Sequence, residues 1–268
     1  MCYQIFLFLI IIQTEICRMR FHFLLIMLSI GLIIQAQPPL IHSHNDYQQK
    51  EPLSNALRQQ AFTIEADVYL VNNNLLVAHD TDELAAAPTL EALYLQPIIA
   101  LFTKNHNHIS ADSNYAPILM IDIKRDGSAV LKKLQAILSK HPSVFDRSIN
   151  PHAVQVVISG DRGSPLTWAS YPSFILFDGR PNEKYDYSTL KKIAFISEAY
   201  SKYARPADST DTRIRQLAKQ THQQIKLLRL WGIPDDATSW DHLHQLGVDI
   251  INTDHVAECR EHFASFIR

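Results

Sequence analysis

The chain has 268 residues, 47% of them hydrophobic, and carries 25 Lys and Arg against 27 Asp and Glu, a net charge of −2. A balance so close to neutral offers no basic surface for nucleic acid, and the apolar share is ample for a packed core. Of the cysteines only Cys259 lies beyond the N-terminal region, which excludes an internal disulfide and a cysteine-held zinc in the remainder of the chain.

The N-terminus reads as a leader. Arg18 and Arg20 precede an apolar run that ends in small residues at Ala36, the layout of a secretory signal peptide, with Met19 as an alternative start. The run is shorter than the roughly twenty residues a spanning helix needs, so cleavage after Ala36 and export, to a secreted or periplasmic location, are expected over an uncleaved anchor. Residues 37–268 then form one domain. Removing Glu15, Arg18 and Arg20 leaves 23 Lys and Arg against 26 Asp and Glu.

Beyond the leader, apolar stretches of strand length recur in order: PLIHSH, FTIEADV, APILMIDI, AVQVVIS, SFILFDG, IAFISE, IKLLRLW and VDIINTD. Between most of them lie segments of helical spacing: PLSNALRQQ, TLEALYLQPIIALFTK, SAVLKKLQAILSKH, TDTRIRQLAKQ and ATSWDHLHQLG. Strands alternating with helices specify a parallel sheet, and eight such units in a chain of this length specify a closed (β/α)8 TIM barrel of the α/β class. An open doubly wound sheet is the alternative. The connection GDRGSPLTWASYP is short and rich in Gly, Pro and Ser, so a single helical turn is expected there.

Chemistry-bearing residues cluster at strand ends. Alternation along FTIEADVYL sends Phe62, Ile64, Ala66 and Val68 to one face and Thr63, Glu65, Asp67 and Tyr69 to the other. Asp122 and Lys124 repeat the arrangement in LMIDIK. Three carboxylates forced together repel one another unless a cation joins them, and an all-oxygen set suits Ca²⁺ or Mg²⁺, with Asn45 adding an amide oxygen. The short strand in NNNLLVAHD ends at His79, a place beside the carboxylates and across from the histidines in HSHNDY. Two imidazoles flanking a cation suit general acid and base work near neutral pH. His42, Arg229 and Trp231 are weaker candidates for substrate contact, Arg229 as a bidentate phosphate grip and Trp231 as an apolar wall. Asn252 and Asp254 share the same mouth. The pair His42 and His44 also fits the H-x-H opening of amidohydrolases, but FILFDGR and FISEAY supply none of the later histidines that pattern requires.

Taken together, SHNDY, IEADV, LLVAHD and LMIDIK, followed by LGVDIINTD, resemble the PLC-like phosphodiesterase superfamily of glycerophosphodiester phosphodiesterases, phosphatidylinositol-specific phospholipases C and sphingomyelinase D-type toxins. The HSHNDY group of bacterial and fungal members is the nearest likeness. The resemblance spans residues 39 to 254. It implies a (β/α)8 barrel in which His44 and His79 act as acid and base, Asn45, Glu65, Asp67 and Asp122 hold a divalent cation, and Lys124 is the accompanying basic residue. Where glycerophosphodiesterases have His-Arg-Gly, this chain has His44-Asn45-Asp46. The expected activity is hydrolysis of a small-molecule or lipid phosphodiester, with membrane contact only through the substrate and no protein partner implied. A silent barrel that binds a phosphorylated or sugar ligand and a phosphomonoesterase are the alternatives.

Overall fold

The eight apolar runs form eight parallel strands, and a ninth is added as a hairpin. In the computed structural model, which describes residues 37–204 and 210–264, the strands are β1 (Leu40–Ser43), β2 (Thr63–Val71), β3 (Asn74–Val77), β4 (Ile118–Ile123), β5 (Gln155–Gly160), β6 (Ile175–Gly179), β7 (Ile193–Ala199), β8 (Leu228–Trp231) and β9 (Ile250–Thr253). The leader expected at residues 1–36 lies outside the described residues. Pairing runs β1-β9-β8-β7-β6-β5-β4-β2, and β1 also pairs with β2, His42 opposite Thr63 and Ser43 opposite Ile64. The ring therefore closes, and the open-sheet alternative is ruled out.

β3 stands outside the ring, antiparallel to the far end of β2 from Val68–Val77 to Val71–Asn74. Asn72 and Asn73 turn the chain with φ of 47° and 63°. Both central residues of such a two-residue hairpin need the left-handed region, which Asn tolerates best among side-chain-bearing residues.

Helices cover the outside of the barrel. They are α1 (Ser54–Arg58), α2 (Gln96–Lys104, entered through a π turn at Glu91–Leu95), α3 (Gly127–Leu138), α4 (Pro142–Phe145), α5 (Tyr187–Leu190), α6 (Thr210–Gln223), α7 (Ala237–Gln245) and α8 (Val256–Ala264). The connection from β5 to β6 holds only a 3-10 turn, Pro165–Ser170, as its composition implied. Trp168 takes the place of a helix there, stacked 4.3 Å from the ring of Phe177 and donating its indole N–H to the Arg162 carbonyl. None of the described helices is long and apolar enough to cross a membrane.

Strand alternation divides the core. Outward residues such as Ile64, Ala66, Val68, Ile121 and Ile123 pack under the helices in one large cluster, while Ile118, Met120, Val157, Phe195 and Ile250 form a second. Each fully buried aliphatic or aromatic side chain contributes roughly 1.5–3 kcal/mol relative to exposure.

The N-terminal ends of the strands are held in another way. Arg147 donates to the carbonyls of Ala116, Pro117 and Ala153 before β4 and β5, Lys192 to those of Tyr171 and Pro172 before β6, Lys226 to Ile193 at the start of β7, and Arg260 to Gln59 and Gln60 before β2. Burial lowers the pKa of all four cations.

Candidate active site

The HSHNDY stretch splits into two jobs as β1 leaves the ring. Asp46 turns inward and is fully buried; one carboxylate oxygen accepts the Ser43 hydroxyl at 2.8 Å, and the other accepts the Leu53 N–H at 2.6 Å and the Tyr94 hydroxyl at 2.8 Å. That lock fixes the loop. Asn45, at φ 43°, reverses the chain so that His44 and Asn45 face the mouth of the barrel.

Register brings the acids together. Asp67 of β2 lies opposite Asp122 of β4, and Glu65 precedes Asp67 by one strand repeat. One oxygen each from Glu65, Asp67 and Asp122 lie within 4.8 Å of one another. Gly160 at the end of β5 makes room: a Cβ there would stand 2.8 Å from Asp122 Oδ1 and 2.3 Å from the Ile123 carbonyl, and its φ of +67° lies in the left-handed region that favours glycine. Lys124 Nζ reaches Asp67 at 2.6 Å and Asp122 at 2.8 Å, and the Tyr47 hydroxyl donates to Asp67 Oδ2 at 2.8 Å.

The electrostatics follow from this crowding. Burial and the Glu65 charge push the Asp67 carboxyl up to about 6, even with Lys124 beside it. Burial would also raise Glu65, but the hydrogen bond from His42 and the positive charge of Arg229 more than offset it and hold Glu65 ionised. Asp67 Oδ1 is buried and has no hydrogen-bond partner. An orphaned carboxylate oxygen costs free energy unless a positive group meets it. Three clustered carboxylates, one with an unmet oxygen, fit a hard divalent cation held by Glu65, Asp67 and Asp122, with the Asn45 amide at the same cavity.

The two histidines come from different elements, His44 from the end of β1 and His79 from the segment after β3. His44 Nδ1 is 2.9 Å from Asp254 Oδ1 just past β9. Since the carboxylate only accepts, the neutral ring carries its proton on Nδ1, leaving the Nε2 lone pair toward the acids, 4.0 Å from Glu65 Oε2. His79 is delivered by the β2–β3 hairpin. The Tyr69 hydroxyl donates to its carbonyl at 3.1 Å, Glu83 accepts its backbone N–H at 2.8 Å, and its half-exposed ring lies at the rim.

A single cavity of about 310 Å³ is lined by His44, Asn45, Glu65, Asp67, His79, Asp122, Lys124, Arg229 and Trp231, every sequence-predicted site residue except His42. His42 corrects the expectation of substrate contact: it is fully buried, its ring nitrogens engaged by Thr63 Oγ1 and, at 3.0 Å, by Glu65 Oε2. Arg229 corrects it in part. It touches the cavity, but its guanidinium is spent on Ser197 at 3.0 Å, Asn252 at 2.9 Å and Asp178 at 3.3 Å, so it is no free phosphate grip.

Arg180 was missed. It lines the cavity with Ser159, lies 4.8 Å over the Trp231 ring, and pairs with Asp178 at 2.8 Å. Asp178 and Arg180 are two residues apart at the end of β6, as Asp122 and Lys124 are at β4. The same alternation in FDGR was a signal that could have found it.

Comparison with known proteins follows this geometry. Residues 31–163 match the model of the AIM6-like phosphodiesterase domain, a span that takes in β1 to β5, the three acids and both candidate histidines. The altered inheritance of mitochondria protein 6 homolog of Arthroderma benhamiae is 25% identical, over 84% of this chain and 84% of its own. A glycerophosphodiester phosphodiesterase from Parabacteroides distasonis superposes with a TM-score of 0.57 at 16% identity, covering 86% of this chain and 98% of that one. A phosphodiesterase from Oleispira antarctica, solved with the product sn-glycerol-3-phosphate, gives 0.51 at 13% identity, covering 85% and 97%. At these identities the solved structures establish the shared fold.

Proposed function

We propose that this chain, which carries an AIM6-like phosphodiesterase domain on the barrel of the PLC-like phosphodiesterases, is an exported, metal-dependent phosphoric diester hydrolase. Its substrates are lipid-headgroup, glycerol- or inositol-type phosphodiesters. One observation carries the reading: two histidines, three clustered carboxylates and a lysine face one cavity at the C-terminal mouth of the barrel, where barrel active sites are built. Export rests on the leader read at residues 1–36.

Bound by Glu65, Asp67 and Asp122, a divalent cation, Ca²⁺ or Mg²⁺, would polarise the non-bridging phosphoryl oxygens. The chain's own residues supply the rest. His44, its tautomer fixed by Asp254, removes the proton from the attacking hydroxyl through Nε2; His79, which lines the same cavity, protonates the departing oxygen. The nucleophile is a neighbouring hydroxyl of the substrate where it has one, and water otherwise. Lys124 keeps positive charge beside the carboxylates, and Arg180 over Trp231 offers a cationic and aromatic wall to the alcohol portion.

Hydrolysis of bis(p-nitrophenyl) phosphate, with chelator and then with Ca²⁺ or Mg²⁺ restored, tests the reading beside His44→Ala and Asp67→Ala. Activity abolished by chelator and in both variants is the expected result. Turnover indifferent to chelator and to both substitutions overturns it, and turnover confined to p-nitrophenyl phosphate would make the protein a monoesterase.

A further inference from the structure

His42 presents a puzzle that the reaction does not use. It is a fully buried imidazole of β1 in direct contact with one carboxylate of the cluster. Its Nε2 lies 3.0 Å from Glu65 Oε2 and also 3.0 Å from Arg229 Nη1, while Nδ1 meets Thr63 Oγ1. For the neutral ring, the contact with Glu65 selects one arrangement of protons. An arginine nitrogen can only donate, so a proton aimed from Arg229 at Nε2 would leave two acceptors, Nε2 and Glu65 Oε2, facing each other. If instead Thr63 donates to Nδ1 and Nε2–H donates to Glu65, the ring and the carboxylate are matched donor to acceptor, and the Arg229 Nη1 proton turns to Asn252 Oδ1 at 2.9 Å.

We infer that His42 is a positioning residue for the cation site: held from behind by Thr63, it holds Glu65 Oε2 so that the carboxylate is aimed at the cluster. The inference rests on the metal-dependent reading of this cavity. Glu65 Oε2 is further approached by the Asn45 N–H at 3.5 Å, so the clasp engages Oε2 and leaves Oε1 out of it. Arg229 is itself immobilised by Ser197 and Asp178, and Thr63 is fully buried. The chain Thr63, His42, Glu65 therefore fixes a ligand's rotamer in advance, and such outer partners commonly govern metal affinity about 10- to 100-fold.

Isothermal titration calorimetry of the full chain, stripped with chelator and titrated separately with Mg²⁺ and Ca²⁺, provides the test. His42→Asn keeps a polar group for Thr63 but is too short to reach Glu65; its Kd is expected to rise about 10- to 100-fold. His42→Gln, whose terminal amide can donate at the reach of Nε2, is expected to restore tight binding, a rescue that a purely space-filling role would not give. A folded His42→Asn that binds as tightly as the wild type, or a His42→Gln as weak as His42→Asn, overturns the inference. Should His42→Asn fail to fold, Thr63→Val carries the test: it releases the clamp on Nδ1 and weakens binding, and unchanged affinity refutes the assignment. A wild-type chain that binds neither cation brings down the metal-dependent reading itself, and this inference with it.

Discussion

Arg147 tests whether the two ends of the barrel are energetically separate. Among the described residues its guanidinium has no carboxylate as a hydrogen-bond acceptor; it donates to the Ala153 carbonyl at 3.0 Å and to those of Ala116 and Pro117 at 2.8 and 3.1 Å. Arg147→Met keeps most of the stem and removes every donor. Ala153 is fully buried, so its carbonyl is left without this partner, at about 1–3 kcal/mol. Pro117 retains the Gln155 N–H at 3.3 Å, and the half-buried Ala116 carbonyl can be rewetted, so together these two add about 1 kcal/mol. The expected total is about 2–4 kcal/mol, read from urea unfolding midpoints at constant m-value. Cation affinity and phosphodiesterase activity below the transition should be unchanged, because the site is at the opposite mouth. A loss under about 0.5 kcal/mol, the range of featureless surface substitutions, would refute the claim that these carbonyls depend on Arg147.

Asp254→Ala leaves His44 without its orienting acceptor; kcat on bis(p-nitrophenyl) phosphate should fall about 10- to 100-fold with KM little changed, and a rise in KM alone would count against the dyad. Asp178 sits between Arg180 and Arg229. Burial alone would raise its carboxyl, but those two arginines outweigh burial and hold it below the usual carboxylate range. Its folded pKa is thus depressed, so its contribution to stability is present above the ordinary carboxyl pKa and is lost as pH falls through the folded value. Asp178→Asn should cost about 3–5 kcal/mol at neutral pH by leaving Arg229 short of a counter-charge, and this deficit should shrink in acid; an equal deficit at all pH values in urea titrations would contradict it. Burial pushes the Cys259 thiol up to about 12, so iodoacetamide at pH 8 should label it, by mass spectrometry, only after unfolding. Rapid native labelling would show that the site is open.

The barrel was legible in the sequence because each strand is buried on its outer face under helices, so its apolar run stands out, and because helical spacing fills most intervals. The helix α8 after β9 went unread, since the apolar residues Val256, Cys259 and Phe263 give only a thin stripe. At the site, alternation alone placed Glu65 with Asp67 and Asp122 with Lys124, and strand order then put both pairs at one mouth.

What the sequence determined by itself is therefore which residues share a strand face, because a period of two fixes side-chain direction without reference to any neighbour. Depth and partnership were decided only by the tertiary structure. His42 and His44 sit two positions apart on the same strand end, yet one is sealed behind Glu65 and the other opens to the cavity beside Asp254, 210 residues away. Arg229, within β8, and Arg180, just past β6, both border the cavity, but closure of the ring buries the first among Ser197, Asn252 and Asp178 while the second lies over the Trp231 ring. Those differences depend on how far up the barrel each residue stands and on which strand lies across from it, quantities set by register and closure, which no local pattern encodes.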